Sequence, residues 1–217
     1  MKKERIVLST KTHQMEAVLH LPEKACEQGV ILAHGAGSNM DSPFMRFFHE
    51  RIAEAGYSCM RFNFPYMQAG KKAPDPQPVL IAAYREAVKS MPAAKLVIGG
   101  KSMGGRIASY VAGEERVNGL MFIGYPLHPP GKPDQLRDEH LYSIRKPMIF
   151  LSGTRDPFAR PDLFSNTLKR IGNFAVLHSV EGGGHSLEVP RKSGVSEPEV
   201  LEGALGAILR WLETLRS

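Results

Sequence analysis

The sequence predicts an α/β fold, with a mostly parallel central sheet, helices on both faces and no lid domain. Three observations carry that reading. Short apolar runs alternate with longer amphipathic segments along nearly the whole chain, as expected when each strand is followed by a helix that covers the sheet. The apolar run Leu96–Ile98 leads into Gly100-x-Ser102-x-Gly104 and then a helix-like segment, giving a strand, a tight turn and a helix. Only residues 127–146 separate the sixth strand from the seventh, and twenty residues rich in proline and charge are too few for a helical cover.

The elements follow in order. Arg5–Ser9 and Glu16–Leu21 read as an antiparallel pair. Gly29–Ala33 is apolar almost throughout, as a strand buried on both faces requires. A helix is expected from Ser42 to Ala55, with Phe44, Phe47, Phe48 and Ile52 on one face. Ser42 is its cap and Pro43 its first residue, where the missing N–H of proline costs nothing. Gly56 closes that helix, and Tyr57–Phe64 is the next strand. A Lys/Pro-rich loop over 70–77 precedes a helix from Pro78 to Lys89. Beyond the turn at Ser102 a helix is expected over Arg106–Ala112, then strands at Gly119–Tyr125, Pro147–Gly153 and Phe174–Val180. Helices at Pro161–Ile171 and Glu197–Leu215 complete the chain, which is expected to form a single domain over 1–217.

Composition narrows the function classes. Hydrophobic residues make up 42% and charged residues 23%, which excludes a disordered chain. The net charge of +6 comes from scattered doublets such as Lys2-Lys3, Lys71-Lys72 and Arg191-Lys192. Without a basic stripe or a recognition motif, these read as solvated surface rather than a nucleic-acid footprint. Cys26 and Cys59 lack metal or disulfide spacing and read as free thiols in a reducing compartment. No signal-peptide pattern follows Lys2-Lys3, and no run approaches the roughly 18 apolar residues of a membrane span. The expectation is a cytoplasmic protein with no metal, no cofactor and no nucleic-acid or membrane partner. Its oligomeric state stays open.

The turn at Ser102 carries the chemistry. In a nucleophile elbow a strained turn lifts one serine above the sheet, and glycines two residues to either side let strand and helix approach closely. A serine hydroxyl becomes a nucleophile when a neutral imidazole accepts its proton, and a buried carboxylate holds that imidazole in the right tautomer. Two later loops leave the carboxyl ends of strands, where parallel sheets place their sites. Thr154-Arg155-Asp156-Pro157 supplies Asp156 as the orienting acid, and Glu181-Gly182-Gly183-Gly184-His185 supplies His185 as the base. Asp134, Asp138 and Asp162 are rivals to Asp156 that do not follow an apolar strand, and His178 is a rival inside a strand. The strand ending in His34-Gly35-Ala36-Gly37 offers the Ala36 amide, with that of Met103, as an oxyanion hole. His34 itself reads as shaping its turn. A pocket wall is expected from Gly37, from Tyr66 with its neighbours Phe64, Pro65 and Met67, and from His128.

Four blocks resemble a known family: His34-Gly35-Ala36-Gly37-Ser38-Asn39-Met40, Gly100-Lys101-Ser102-Met103-Gly104-Gly105-Arg106, Tyr125-Pro126-Leu127-His128-Pro129-Pro130 and Leu136-Arg137-Asp138-Glu139-His140-Leu141. The chain resembles the α/β-hydrolase superfamily over essentially its whole length. More narrowly, it looks like a branch near the dienelactone hydrolases that includes a testis-expressed hydrolase-like protein and a chromatin-complex subunit of animals. The resemblance implies a serine-hydrolase scaffold with Ser102, Asp156 and His185 as its triad. Dienelactone hydrolases proper carry a cysteine nucleophile, whereas this chain has Ser102. The expected activity is cleavage of a small-molecule carboxylic ester or thioester through an acyl-enzyme. An amidase or acyltransferase using the same residues, or a scaffold that keeps the fold without chemistry, is the alternative.

Overall fold

A computed structural model describes residues 1–24 and 27–216; Cys26, expected to be a free thiol, lies outside the described residues. The strands are β1 (Lys2–Ser9), β2 (Gln14–Leu21), β3 (Gln28–Ala33), β4 (Ser58–Phe62), β5 (Lys95–Lys101), β6 (Val117–Ile123), β7 (Met148–Gly153) and β8 (Ala175–Val180). The helices are α1 (Pro43–Glu54), α2 (Pro65–Gln68), α3 (Gln77–Ser90), α4 (Met103–Ser109), α5 (Pro161–Ile171) and α6 (Glu197–Glu213). One eight-stranded sheet runs in the order β1-β2-β4-β3-β5-β6-β7-β8. The β1–β2 and β2–β4 pairs are antiparallel and every other pair is parallel.

Side chains alternate across the sheet and feed two cores. In β3, Val30 and Leu32 face α1 and α6 and pack with Phe48, Ile52, Ile208 and Trp211. Ile31 and Ala33 face the other way, toward Leu80 and Tyr84 of α3, Ile107 of α4 and Phe164 of α5. Burial on both faces explains the unbroken apolar character of the central strands. From β3 the chain crosses through α1 to β4 on one side, while β5 lies on its other side. The crevice at the carboxyl ends of β3 and β5 is therefore the switch point of this sheet, where α/β folds bind ligands.

Several boundaries differ from expectation, each for a local reason. β4 stops at Phe62 because the next pair is only half made: Asn63 N–H still donates to Glu16 O at 3.0 Å, but Glu16 N–H turns to Gln68 Oε1 at 3.3 Å, and Asn63 Oδ1 accepts Met40 N–H at 2.9 Å. Pro65 then opens α2, so Asn63 and Phe64, the end of the expected strand, form the link into that helix. β6 ends at Ile123, before Gly124 turns the chain at φ +62°. α4 begins at Met103, directly after Ser102, and ends at Ser109 instead of running from 106 to 112. Between β6 and β7 the chain forms one five-residue 3-10 helix, Glu139–Ser143. No helix among the described residues is long and apolar enough to cross a membrane.

On the α1 face β4 holds a buried cation. Arg61, 2% exposed, donates to Asp41 Oδ1 at 3.0 Å and to His49 Nδ1. Nε2 of His49 faces Cys59 O at 2.9 Å, so the proton belongs on Nε2. Burial, and then the Arg61 charge, push the His49 imidazole down to about 3.

Candidate active site

Ser102 occupies a strained position. Its backbone sits at φ 50°, ψ −117°, a conformation that costs a non-glycine residue about 1–3 kcal/mol unless the surroundings impose it. Here they do. The Ser102 N–H donates to Ile123 O of β6 at 2.9 Å, and the Ser102 carbonyl accepts Arg106 N–H of α4 at 3.0 Å. The flanking glycines are required by contact: a Cβ at Gly100 would lie 2.1 Å from Ala33 O, and one at Gly104 2.2 Å from the same oxygen. Their absence of side chains lets β5 and α4 seat against β3 and aims the serine out of the sheet.

His185 Nε2 lies 2.7 Å from Ser102 Oγ, and His185 Nδ1 lies 2.8 Å from Asp156 Oδ2. A carboxylate only accepts, so Nδ1 carries the proton and Nε2 is free to accept from the serine. The Asp156 side chain is wholly buried, and its other oxygen accepts Phe158 N–H at 2.8 Å. The imidazole is 17% exposed, with the Phe158 ring 4.4 Å away.

The glycine-rich loop that aims His185 is tied on both sides. Gly183 O accepts Arg155 N–H at 2.9 Å, and Gly182 N–H donates to Thr154 Oγ1 at 2.8 Å. Downstream, Gly184 N–H donates to Glu188 O at 2.8 Å, and Glu188 Oε2 accepts Ser186 N–H at 2.7 Å. Lys101 Nζ donates to Ser186 Oγ, which turns Lys101 toward this loop and away from Ser102.

The rival residues are used elsewhere. Asp162 pairs with Arg160 at 2.7 Å on the surface. Asp138 is buried and accepts from Thr167 Oγ1 at 2.7 Å and from Tyr142. Asp134 is exposed, and His178 lies in edge strand β8. His34 shapes its own turn as expected: Nδ1 faces Gly35 O at 2.8 Å and Nε2 accepts Phe64 N–H at 3.1 Å. Burial pushes His34 down to about 4.

A cleft of about 380 Å³ opens over Ser102 and His185. Ala36 and Met103 line it beside the serine. The Met103 N–H stands in the first turn of α4, where no intrahelical acceptor exists. The expected pocket residues Gly37, Tyr66 and His128 lie apart from this lining. Gly37 turns the backbone at φ +69° with nothing within 4 Å of where a Cβ would stand. Tyr66 is 1% exposed because α2 packs it, like Phe64, into the core. His128 is 2% exposed, with Nδ1 facing Pro129 O at 2.9 Å and Nε2 accepting Arg160 N–H at 3.3 Å. In their place the cleft is lined by Leu80, Arg106, Pro126, Arg137 and Phe158. Arg106 was legible in principle, since four residues along a helix returns to the same face. Arg137 carries no such signal. Among the described residues no three His, Cys, Asp or Glu side chains converge as a metal-ligand set.

Comparison with known proteins agrees with this architecture. The family model described as "Alpha/beta hydrolase domain" matches residues 26–213. Est1E from Butyrivibrio proteoclasticus, solved with ferulic acid bound, superposes with a TM-score of 0.80 at 14% identity, covering 97% of this chain and 98% of that one. A dienelactone hydrolase from Anabaena variabilis gives 0.74 at 18% identity, covering 99% and 98%. An α/β serine hydrolase without a lid, from Xanthomonas campestris, gives 0.71 at 18% identity, covering 97% and 95%.

Proposed function

The chain belongs to the alpha/beta hydrolase domain family, and from that premise we propose that it is a serine hydrolase of small carboxylic esters or thioesters. The observation that carries this reading is the unbroken relay of Ser102, His185 and Asp156, at 2.7 and 2.8 Å, beneath an open cleft. Ser102 Oγ attacks the carbonyl carbon while His185 Nε2 takes its proton, and Asp156 stabilises the imidazolium. The amides of Met103 and Ala36 receive the oxyanion, each worth about 3–4 kcal/mol of transition-state stabilisation. The tetrahedral adduct collapses to an acyl-serine as His185 protonates the departing alcohol or thiol. Water then enters, loses a proton to His185 and releases the acid, restoring Ser102.

The four resembling blocks support a place in the dienelactone-hydrolase-like branch, with serine in the nucleophile position. We read residues 1–217 as one catalytic domain acting in the cytoplasm without a cofactor. A cleft that none of the described residues covers with a helical lid favours small, water-soluble esters over an interface substrate.

Labelling with a fluorophosphonate probe tests the reading. Parent protein is expected to label, and Ser102→Ala and His185→Ala are expected to lose the label, since deleting a triad nucleophile costs up to about 10⁶ in turnover. Folded parent protein that neither labels nor hydrolyses an activated ester would instead favour the scaffold alternative.

A further inference from the structure

The triad leaves one part of the cleft unexplained, its two arginines. Arg106 stands one helical turn beyond Ser102, its N–H bonded to the Ser102 carbonyl at 3.0 Å. Arg137 arrives from the segment between β6 and β7, within the Leu136–Leu141 block that the proposed reaction does not use. Its backbone is fixed at both ends: the N–H donates to Leu127 O at 2.8 Å, and the carbonyl accepts Tyr125 Oη at 2.8 Å. Both side chains are half-buried, and both line the cleft that holds Ser102 and His185.

The two guanidinium groups lie close enough to feel each other. Burial, and then the Arg106 charge, hold the Arg137 guanidinium below its ordinary range. Arg106 also adds to the burial that pushes His140 down to about 4. Among the described residues neither guanidinium forms an ion pair, although eight other Lys and Arg side chains do, from Lys2 to Arg216. The third cation of the cleft differs. Lys101 is engaged by Ser186 and feels the charges of Glu188 and Asp156. Asp75, the carboxylate in the lining, keeps a buried Oδ2 without a hydrogen-bond partner, and its charge adds to burial in raising the Tyr66 hydroxyl.

Two like charges lining one partly dehydrated cleft repel each other, and an anion bound between them relieves that repulsion. Guanidinium forks suit a carboxylate or phosphate, whose oxygens accept parallel N–H bonds. Anchorage on α4 and on a doubly bonded loop reduces the ordering needed to bind.

We propose that Arg106 and Arg137 form a subsite for an anionic group, a carboxylate or phosphate, carried by the substrate whose carbonyl Ser102 attacks. The inference rests on the serine-hydrolase reading for its orientation, and it names these two residues as specificity determinants of the same cleft.

The test compares kcat/KM for mono(4-nitrophenyl) glutarate with that for neutral 4-nitrophenyl valerate. Parent protein is expected to prefer the charged ester by about 10-fold or more. That ratio should fall toward one in Arg106→Gln and in Arg137→Gln, and persist in Arg51→Gln, whose guanidinium pairs with Glu54 and Glu202 on the α1–α6 surface. A parent ratio near or below one, or a ratio insensitive to both cleft substitutions, overturns the proposal. Should neither ester be turned over, calorimetric titration of the Ser102→Ala protein with glutarate and with inorganic phosphate decides it. Binding of either anion that is lost in both arginine variants supports the subsite while the hydrolase reading fails, and the tighter ligand identifies the anion. Absence of binding, or binding indifferent to both arginines, overturns it.

Discussion

Gly104→Ala places one methyl group where the fold has no room for it. Its Cβ would stand 2.2 Å from Ala33 O, 2.5 Å from Ala33 C and 2.7 Å from His34 O, all backbone atoms of β3 and its loop. An ordinary C···O contact is about 3.3 Å, so α4 and β3 must separate by roughly 1 Å. Alanine gains about 1 kcal/mol of helix propensity over glycine, whereas overpacking against an unyielding wall costs about 1–3 kcal/mol. The wall is main chain and cannot change rotamer, so the steric cost falls at the upper end of that range and a net loss of up to about 2 kcal/mol is expected. The larger effect falls on reactivity. Ser102 and the Met103 amide ride on the start of α4, and a 1 Å misplacement of reacting groups costs about 10²-fold. Gly203→Ala is the internal control, since that glycine is exposed in α6 with nothing within 4 Å of its Cβ position. It should gain about 0.5–1 kcal/mol and label like the parent. Urea unfolding and the second-order rate of fluorophosphonate labelling measure both quantities. A Gly104→Ala protein with parent stability and parent labelling rate would refute the claim that close helix–strand contact holds the elbow.

Three further outcomes are expected. Asp156→Asn keeps the shape but presents the wrong partner to His185 Nδ1, and steady-state turnover of an activated ester should fall about 10⁴-fold with the fold intact. Stability should decline on acidification, because His34 and His49 are pushed down to about 4 and about 3 from an ordinary 6.5. Between pH 6.5 and 4 the unfolded chain binds protons that the folded chain refuses, so each histidine removes about 2 kcal/mol by pH 5 relative to neutral pH. Denaturant titrations at pH 7 and pH 5 should show this loss, reduced in His49→Gln; equal stability at the two pH values would contradict the burial of both rings. Ser196→Ala removes a capping box, in which Ser196 Oγ accepts Glu199 N–H while Glu199 Oε2 accepts Ser196 N–H at 2.8 Å. The thermal midpoint should fall by an amount equivalent to about 1 kcal/mol.

What the amino-acid sequence determined by itself was the part written in local patterns. Apolar runs marked β3, β5, β6 and β7 because a strand covered on both faces has few positions for a polar side chain. Ser42-Pro43 marked the start of α1, where the cap bonds Met45 N–H. Gly100 and Gly104 marked the elbow, and Asp156 and His185 stood in loops after apolar strands, so the members of the relay were legible before their distances were. The pocket was not legible. Tyr66 and His128 had the right chemistry and the right neighbours in sequence, yet both turned inward, because α2 is pressed into the core and the His128 ring bonds nearby backbone. Tertiary structure alone brought Arg137 into the same cleft as Arg106, across 31 positions of chain. Periodicity and turn chemistry constrain a residue through its near neighbours. A cleft wall is assembled from loops whose meeting depends on how strands pack, and that packing is decided by the whole sheet at once.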